Sequence, residues 1–501
     1  MTSARAELNT LEASGLVQVA AMEPDLEYLF RHALVQDAAY SSLLKQDRRT
    51  LHRLAAENLI ALYPERTREL ASLIGMHYER AGDLAAAAEY LIIAGEHALE
   101  RFARKEAVAF FDRAEAALGP DDPRIDLRLR AALGAAKVSW TYRGQDEGIG
   151  RLERALAIGE ATGDQKIVGE MYFWIAFLRR MRGETMATSP ELRHAVDRAG
   201  EIGAARGDPV AQAIPKAFMA VGTMFSGEFR EGARELEEAL EIIATDADHV
   251  TGAILSGLLT IGQARLGEFA RAEASLARAR ALAAEGDPIA LLDVDIATSA
   301  VLVERGDIRE GEALATSCAA RSEELGAIAC AVPANVISGA AHLAREDVEG
   351  ARAPLERGEE LSHIASMGAF QTLAEGMLGA VRARLGDLAA GTAGWNVALE
   401  RAISTQDRYG EATTLWQRAG ALAHGTPPDH ERALEDIDRA VQLFEAMETR
   451  PAIARTLRDR AQILRALGRT TEAETADARS RSIASERRRS RLRSSGRARG
   501  G

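Results

Sequence analysis

Ser226-Gly-Glu-Phe-Arg-Glu-Gly-Ala-Arg-Glu-Leu-Glu-Glu-Ala-Leu240 is the stretch on which the fold turns, because its opening tetrapeptide returns at fixed intervals. Leu266-Gly-Glu-Phe, Arg305-Gly-Asp-Ile, Arg345-Glu-Asp-Val and Leu385-Gly-Asp-Leu follow. Their second residues fall at 227, 267, 306, 346 and 386, in steps of 40, 39, 40 and 40. A period of this length marks a repeat architecture in which each unit is one supersecondary element. The fifth residue after each turn is small (Gly232, Ala272, Gly311, Ala351, Gly391), and so is the twelfth (Ala239, Ala279, Cys318, Gly358, Ala398). The ninth is large at Leu236, Leu276, Leu355 and Trp395, with Ala315 the exception. Offsets of four and three residues put these positions on one helix face. There the small side chains admit a neighbouring helix and the large one fills the space between. Each unit therefore reads as one helical hairpin.

The same register continues more loosely in both directions. Gly82 is followed by Ala87, Leu91 and Ala94, Phe102 by Ala107, Phe111 and Ala114, and Arg143 by Gly148, Leu152 and Ala155. Gly82 and Phe102 stand half a period apart, as expected where one helix closes one hairpin and opens the next. Downstream, Ala433, Ile437 and Ala440 resume the pattern after the insertion Gly425-Thr-Pro-Pro, and the unit around Gly468 is degenerate, which suits a solvent-facing cap. These features resemble tetratricopeptide repeats, in the longer variety found in large bacterial signalling ATPases, over residues 66–485. The resemblance implies an all-α, right-handed superhelical solenoid of about ten repeats.

Composition agrees with a repeat array. A chain of 501 residues exceeds one compact domain, and 47% apolar but only 5% aromatic residues suit stacked helices better than a sandwich or barrel. The formal net charge of −13 is uneven: nine Arg and one acid from Arg479 onward carry +8, which leaves −21 on residues 1–478. So acidic a body argues against nonspecific nucleic-acid binding and points to neutral or basic partners. The Arg-rich tail, 486–501, is expected to be disordered. It has no aromatics for base stacking, so only a weak, salt-sensitive attraction is predicted for it. Cys318 and Cys330 belong to no CxxC pair and read as buried, reduced thiols. The N-terminus shows no apolar signal-like run, and the most apolar stretch, Ile289 to Val303, is broken by Asp293 and Asp295. A cytoplasmic location and no membrane partner are the expectation.

Before the repeats the pattern changes. Gly15-Leu-Val-Gln-Val, Glu23-Pro-Asp and Leu26-Glu-Tyr-Leu-Phe read as two short strands around a turn, followed by helices over Ala33 to Lys45 and Asp47 to Leu62. A hairpin beside short helices suggests the wing of a winged-helix domain over residues 1–65. Leu11-Glu-Ala-Ser-Gly-Leu-Val, Tyr28-Leu-Phe-Arg-His-Ala-Leu-Val-Gln-Asp-Ala-Ala-Tyr-Ser-Ser-Leu-Leu and Arg48-Arg-Thr-Leu-His-Arg resemble the segment joining the ATPase core to the repeats in bacterial signalling ATPases. The closest likeness is to those in which a class III adenylate or guanylate cyclase domain precedes a STAND-type ATPase. His77-Tyr-Glu-Arg-Ala-Gly-Asp and Tyr90-Leu-Ile-Ile-Ala-Gly-Glu-His-Ala-Leu resemble that family's first repeats. No GxxxxGK[ST] phosphate loop and no cyclase segment occur, so the resemblance implies the C-terminal portion of a larger design with only part of its winged helix. In related nucleotide-switch ATPases, a histidine at the place of His32 approaches bound ADP. The resemblance gives His32 that cofactor-binding role only where an ATPase domain is supplied elsewhere.

Residue patterns for chemistry are missing. The ten histidines form no HExxH, HxH or i,i+4 pair, and there is no GxSxG or GxGxxG, so no catalytic residue, metal or cofactor is expected. The first helix of each hairpin should line the inner face of the solenoid. That register points to Met224, Phe225, Arg265, Asp293, Glu304 and Arg384 as partner-binding candidates. Mixed apolar and charged side chains there suit a protein or peptide segment. The function expected is a non-catalytic interaction or sensor scaffold, the regulatory arm of a cyclase- or ATPase-type signalling protein, with that domain in cis or trans. The alternative is a stand-alone receptor for a small ligand or peptide in the groove.

Overall fold

The computed structural model describes residues 2–21, 27–119, 122–141, 144–160, 164–243, 249–283 and 286–497. These form twenty-four α-helices, one short 3-10 helix at Pro64–Arg66 and one two-stranded sheet among the described residues. The chain divides into two compact units, Met1–Ala131 and Ala132–Gly501, and the boundary expected near residue 65 falls inside the first.

In the first unit, α1 (Thr2–Ala13), a helix not foreseen from the sequence, precedes β1 (Val17–Ala21) and β2 (Glu27–Phe30). The strands pair antiparallel with Val17 opposite Phe30, while the expected turn at Glu23-Pro-Asp lies outside the described residues. Next come α2 (Ala33–Ser42) and α3 (Lys45–Leu62), separated where Leu43 and Leu44 take extended ψ values of 141° and 148°. The first of these helices thus stops short of Lys45, and the second starts ahead of Asp47. The Tyr40 hydroxyl lies 2.9 Å from His52 Nε2, and His52 Nδ1 lies 2.8 Å from His77 Nδ1, which ties α2 and α3 to α4 (Ala71–Ala81). Gly82 then turns α4 into α5 (Leu84–Glu100) at φ 79°, and Phe102 makes the same left-handed turn at φ 59° into α6 (Arg104–Leu118). Large apolar side chains on the early elements, Leu29, Leu34, Leu44 and Leu62 among them, are exposed.

The unit boundary runs through α7 (Ile125–Ser139), which α8 (Gln145–Gly159) follows. The second unit continues as hairpins: α9 (Gln165–Met181) with α10 (Pro190–Ala205), α11 (Pro209–Phe225) with α12 (Phe229–Ile243), and α13 (His249–Leu266) with α14 (Phe269–Ala283). Next come α15 (Pro288–Arg305) with α16 (Ile308–Leu325), α17 (Ile328–Ala344) with α18 (Val348–Ile364), and α19 (Gly368–Arg384) with α20 (Leu388–Thr405). The last pairs are α21 (Arg408–Ala423) with α22 (His430–Ala446), and α23 (Arg450–Ala466) with α24 (Thr470–Arg497). The backbone of the Arg-rich stretch is thus helical as far as Arg497, and its side chains from 486 lie outside the described residues.

Residues with positive φ mark the turns at Gly286, Gly306, Gly326, Glu346, Ser366, Gly386 and Gln406, each twenty positions after the last. Each helix with its turn is therefore one step, and the 40-residue period is two of them. An acid follows five of these seven turns, and four of the five cap the next helix: Asp347 and Asp387 accept hydrogen bonds from the Gly350 and Ala390 amides at 3.0 and 2.9 Å, and Asp287 and Asp407 cap α15 and α21 in the same way.

Every residue of the small-large-small series from 232 to 398 is buried. A Cβ on Gly232 would stand 2.5 Å from the Ala220 carbonyl oxygen, and one on Gly391 would stand 2.7 Å from that of Gly379. The first small position thus lets the two helices of a hairpin touch backbone to backbone. Leu355 in turn sits where Gly339 leaves room, 2.5 Å from the point a Cβ would occupy.

Within the second unit the solenoid comes back on itself. The Gln145 amide donates to the Ala365 carbonyl at 3.3 Å, and Ser366 Oγ donates to Asp146 Oδ2 at 3.0 Å. Farther along, Arg230 bonds Glu448 at 2.7 Å and Glu268 at 3.0 Å, while Arg408 bonds Glu228 at 2.6 Å. One apolar cluster joins Met224, Phe229, Leu236 and Leu259 of α11–α13 to Leu415, Phe444, Met447 and Leu457 of α21–α23.

Candidate ligand cavity

The odd-numbered helices α11 to α23 supply most of the wall of a cavity of about 740 Å³, with α24 along one margin. At the place where the early and late turns meet, Tyr409 stands edge-on to both Phe229 and Phe444, with ring centroids at 5.7 and 5.8 Å. The Arg265 guanidinium lies over the Tyr409 ring, 3.9 Å from its centroid. The Tyr409 hydroxyl donates to Glu304 Oε1 at 3.1 Å, and Arg455 donates to Glu304 Oε2 at 2.6 Å. Two turns along α21 from Tyr409, Trp416 Nε1 donates to Asp459 Oδ2 at 2.8 Å.

This cluster has fixed protonation states. Burial alone would raise the Glu304 carboxyl, but Arg455 and Arg265 outweigh it and hold the group below its ordinary range. Burial pushes the Tyr409 phenol up to about 12, so it remains a donor. A paired carboxylate, a neutral phenol and two cations make a binding surface; none of these groups is an activated nucleophile.

Of the residues the sequence singled out, Met224, Arg265, Glu304 and Arg384 all line the cavity. Met224 is 4% exposed and fills the space over Gly232 and Gly262, so it belongs to the floor. The side chain of Phe225 lies outside the described residues. Asp293 does not line the cavity: it accepts from Cys330 Sγ at 3.4 Å. It shares the Glu304 face of α15 but stands eleven residues earlier, about 16 Å along the axis, where the start of α17 covers it. His32 is exposed at the N-cap position of α2 and makes no side-chain capping bond. Cys318 and Cys330 are both buried thiols, and burial pushes that of Cys318 up to about 12.

Tyr409, Trp416, Arg455 and Asp459 were not foreseen as wall residues. The signal was present in an aromatic pair seven residues apart on one face of α21, and in an Arg and an Asp four apart on α23.

No protein-family model matches this sequence, and no curated protein matches it. Solved structures do. A Rap protein complexed with competence and sporulation factor is similar at 11% identity over 73% of this chain and 99% of its own, with a TM-score of 0.54. The Cut9–Hcn1 hetero-tetramer of APC/C is similar at 14% identity over 91% and 86%, with a TM-score of 0.50. The fold is a tetratricopeptide-type solenoid. At these identities the likeness extends to fold alone, and the cavity is this chain's own. Among the described residues, no helix is long and apolar enough to cross a membrane, and no group of three or more His, Cys, Asp or Glu is gathered to hold a metal.

Proposed function

We propose that this chain is a non-catalytic receptor and scaffold: the cavity of its solenoid takes a small ligand or peptide, and a partner domain reads its occupancy. The observation that carries this is the cavity, whose about 740 Å³ falls in the range for small-molecule and short-peptide sites. Its apolar walls and a few fixed polar groups match what such sites need. The likeness to a Rap protein complexed with a factor supports the same reading. A ligand spanning the crossing of early and late turns would favour one pitch of the superhelix over another, and that shift is what a partner could sense.

The partner domain we propose is of the cyclase- or ATPase-type, in cis or trans, which rests on the resemblance of the first hundred residues to bacterial signalling ATPases. His32 would face bound nucleotide only in that arrangement. One observation favours the stand-alone receptor as a second reading: every wall residue lies between Val221 and Ala484, within the second unit. An immunoblot of source cells with an antibody against the repeats separates the two. A band well above 53.9 kDa favours the regulatory arm, and a band at that mass favours the receptor. ATP hydrolysis or cyclic-nucleotide synthesis that survives further purification of the chain would overturn both.

A further inference from the structure

The cavity wall carries more positive charge than its own carboxylates neutralise. Glu304 is taken up by Arg455 at 2.6 Å, and Asp459 by Arg458 at 3.2 Å. Arg265 makes no hydrogen bond or ion pair among the described residues. It is held by the faces of Tyr409 and Phe229, at 3.9 and 5.5 Å, which leaves the N–H edge of its guanidinium for a partner. Arg384, half-buried at the end of α19, likewise has no ion pair, and Glu346, the acid that acts on it, stands beyond bonding distance.

A second observation points the same way. Thr413 is only 8% exposed, lines the cavity, and its hydroxyl has no hydrogen-bond partner; the buried Nε of Arg455 has none either. Buried polar atoms are normally satisfied, and a partly desolvated cation without a counter-ion is unfavourable. Between these groups the wall is apolar, with Leu258, Ile261, Val303, Val336, Leu373 and Met377. The complementary occupant has an anionic group, backbone-like hydrogen-bonding capacity and apolar side chains. A volume of about 740 Å³ suits a short chain, whose free end supplies such an anion.

We infer that the cavity takes a short free peptide with apolar side chains, whose C-terminal carboxylate lies against the Arg384 guanidinium in its wall. This deepens the receptor reading and rests on it. Bidentate guanidinium–carboxylate contact supplies the specificity, and the apolar wall supplies the rest of the affinity.

The test uses the full chain and two pooled libraries of synthetic apolar hexapeptides, one with free C-termini and one C-terminally amidated, read by thermal shift. The best free-acid peptide is then measured by calorimetry against wild type, Arg384→Gln and the charge-keeping Arg384→Lys, with circular dichroism to verify folding. The free-acid pool should stabilise the protein and the amidated pool should not. Amidation should weaken the chosen peptide about tenfold or more in wild type and have little further effect in Arg384→Gln, with Arg384→Lys between them. Equal binding of acid and amide overturns the carboxylate assignment and leaves the receptor reading standing. An amidated peptide restored to full affinity by an internal Asp or Glu also overturns the C-terminal assignment. No shift with either pool overturns both.

Discussion

Two parts of the solenoid are held together by different means. From Gly286 to Gln406 each helix packs on its sequence neighbours, in steps of twenty residues, through small residues that bring backbones together. Where α11–α13 meet α21–α23, the contacts join residues as far as 218 apart, and they are aromatic, ionic and partly buried. The first part is a ladder of local choices and the second a crossing of turns. The difference teaches that shape and function are set separately here: the ladder makes a solenoid of any length, and the crossing gives that solenoid a walled inner cavity.

The sharpest way to break the ladder is to empty one of its large positions. Leu355 is fully buried against Gly339, so Leu355→Ala leaves a cavity and should cost about 2–5 kcal/mol. Because repeat arrays unfold by nearest-neighbour terms, the loss should be local. Hydrogen exchange should accelerate in α17–α19, while the radius of gyration of the folded chain in solution scattering stays unchanged. Expansion of the whole particle by this substitution would show that the ladder, too, depends on closure.

The crossing should respond in the opposite sense, losing closure before helix. Glu304→Gln keeps the shape but leaves the Arg455 cation without its bonded carboxylate in a largely buried place. A cost of about 3 kcal/mol is expected, with an increased radius of gyration and unchanged helical circular dichroism. Acid offers the same perturbation without a mutation. The Glu304 carboxyl is held below its usual 4.5, so the unfolded or opened chain binds the proton first. The stabilisation is complete above that value and is lost as pH falls through the folded-state one. Wild type should therefore expand in mild acid before it loses helix, and the variant, already expanded at neutral pH, should lack that step. Simultaneous loss of helix and closure in wild type would mean that the crossing is not a separate element.

The same division explains what the sequence revealed. Turn spacing and the small-large-small series are local, so Gly232, Leu236 and Ala239 and their equivalents were readable as packing positions, and so was the inward face that carries Arg265, Glu304 and Arg384. The intervening turns at Ser366 and Gln406 were not, because positive φ there is taken by residues that carry no turn signature. Asp293 failed for a reason of length: helical register gives the face of a residue but not which end of the helix the neighbouring unit covers. Tyr409, Trp416 and Arg455 were out of reach because their role depends on the pitch of the superhelix. Pitch is the accumulated rotation of many units, and no single repeat records it.

The smallest effect expected is at the outer rim of the crossing. Arg230 reaches Glu448 at 2.7 Å and Glu268 at 3.0 Å, but Arg230 and Glu448 are 57% and 55% exposed. Exposed pairs gain little over hydrated charges, so Arg230→Ala should cost about 0–1 kcal/mol in urea denaturation, despite uniting residues of both turns. Its effect should fade at about 1 M salt, where charges are screened within about 3 Å, whereas that of Glu304→Gln should persist because its partners are shielded from solvent. Measuring both variants at low and high salt therefore ranks the two sides of the crossing. If Arg230→Ala expands the particle as much as Glu304→Gln does, the turns are fastened from the outer loops. The buried cluster would then be free to serve ligand recognition alone, and occupancy of the cavity would have no lever on the pitch.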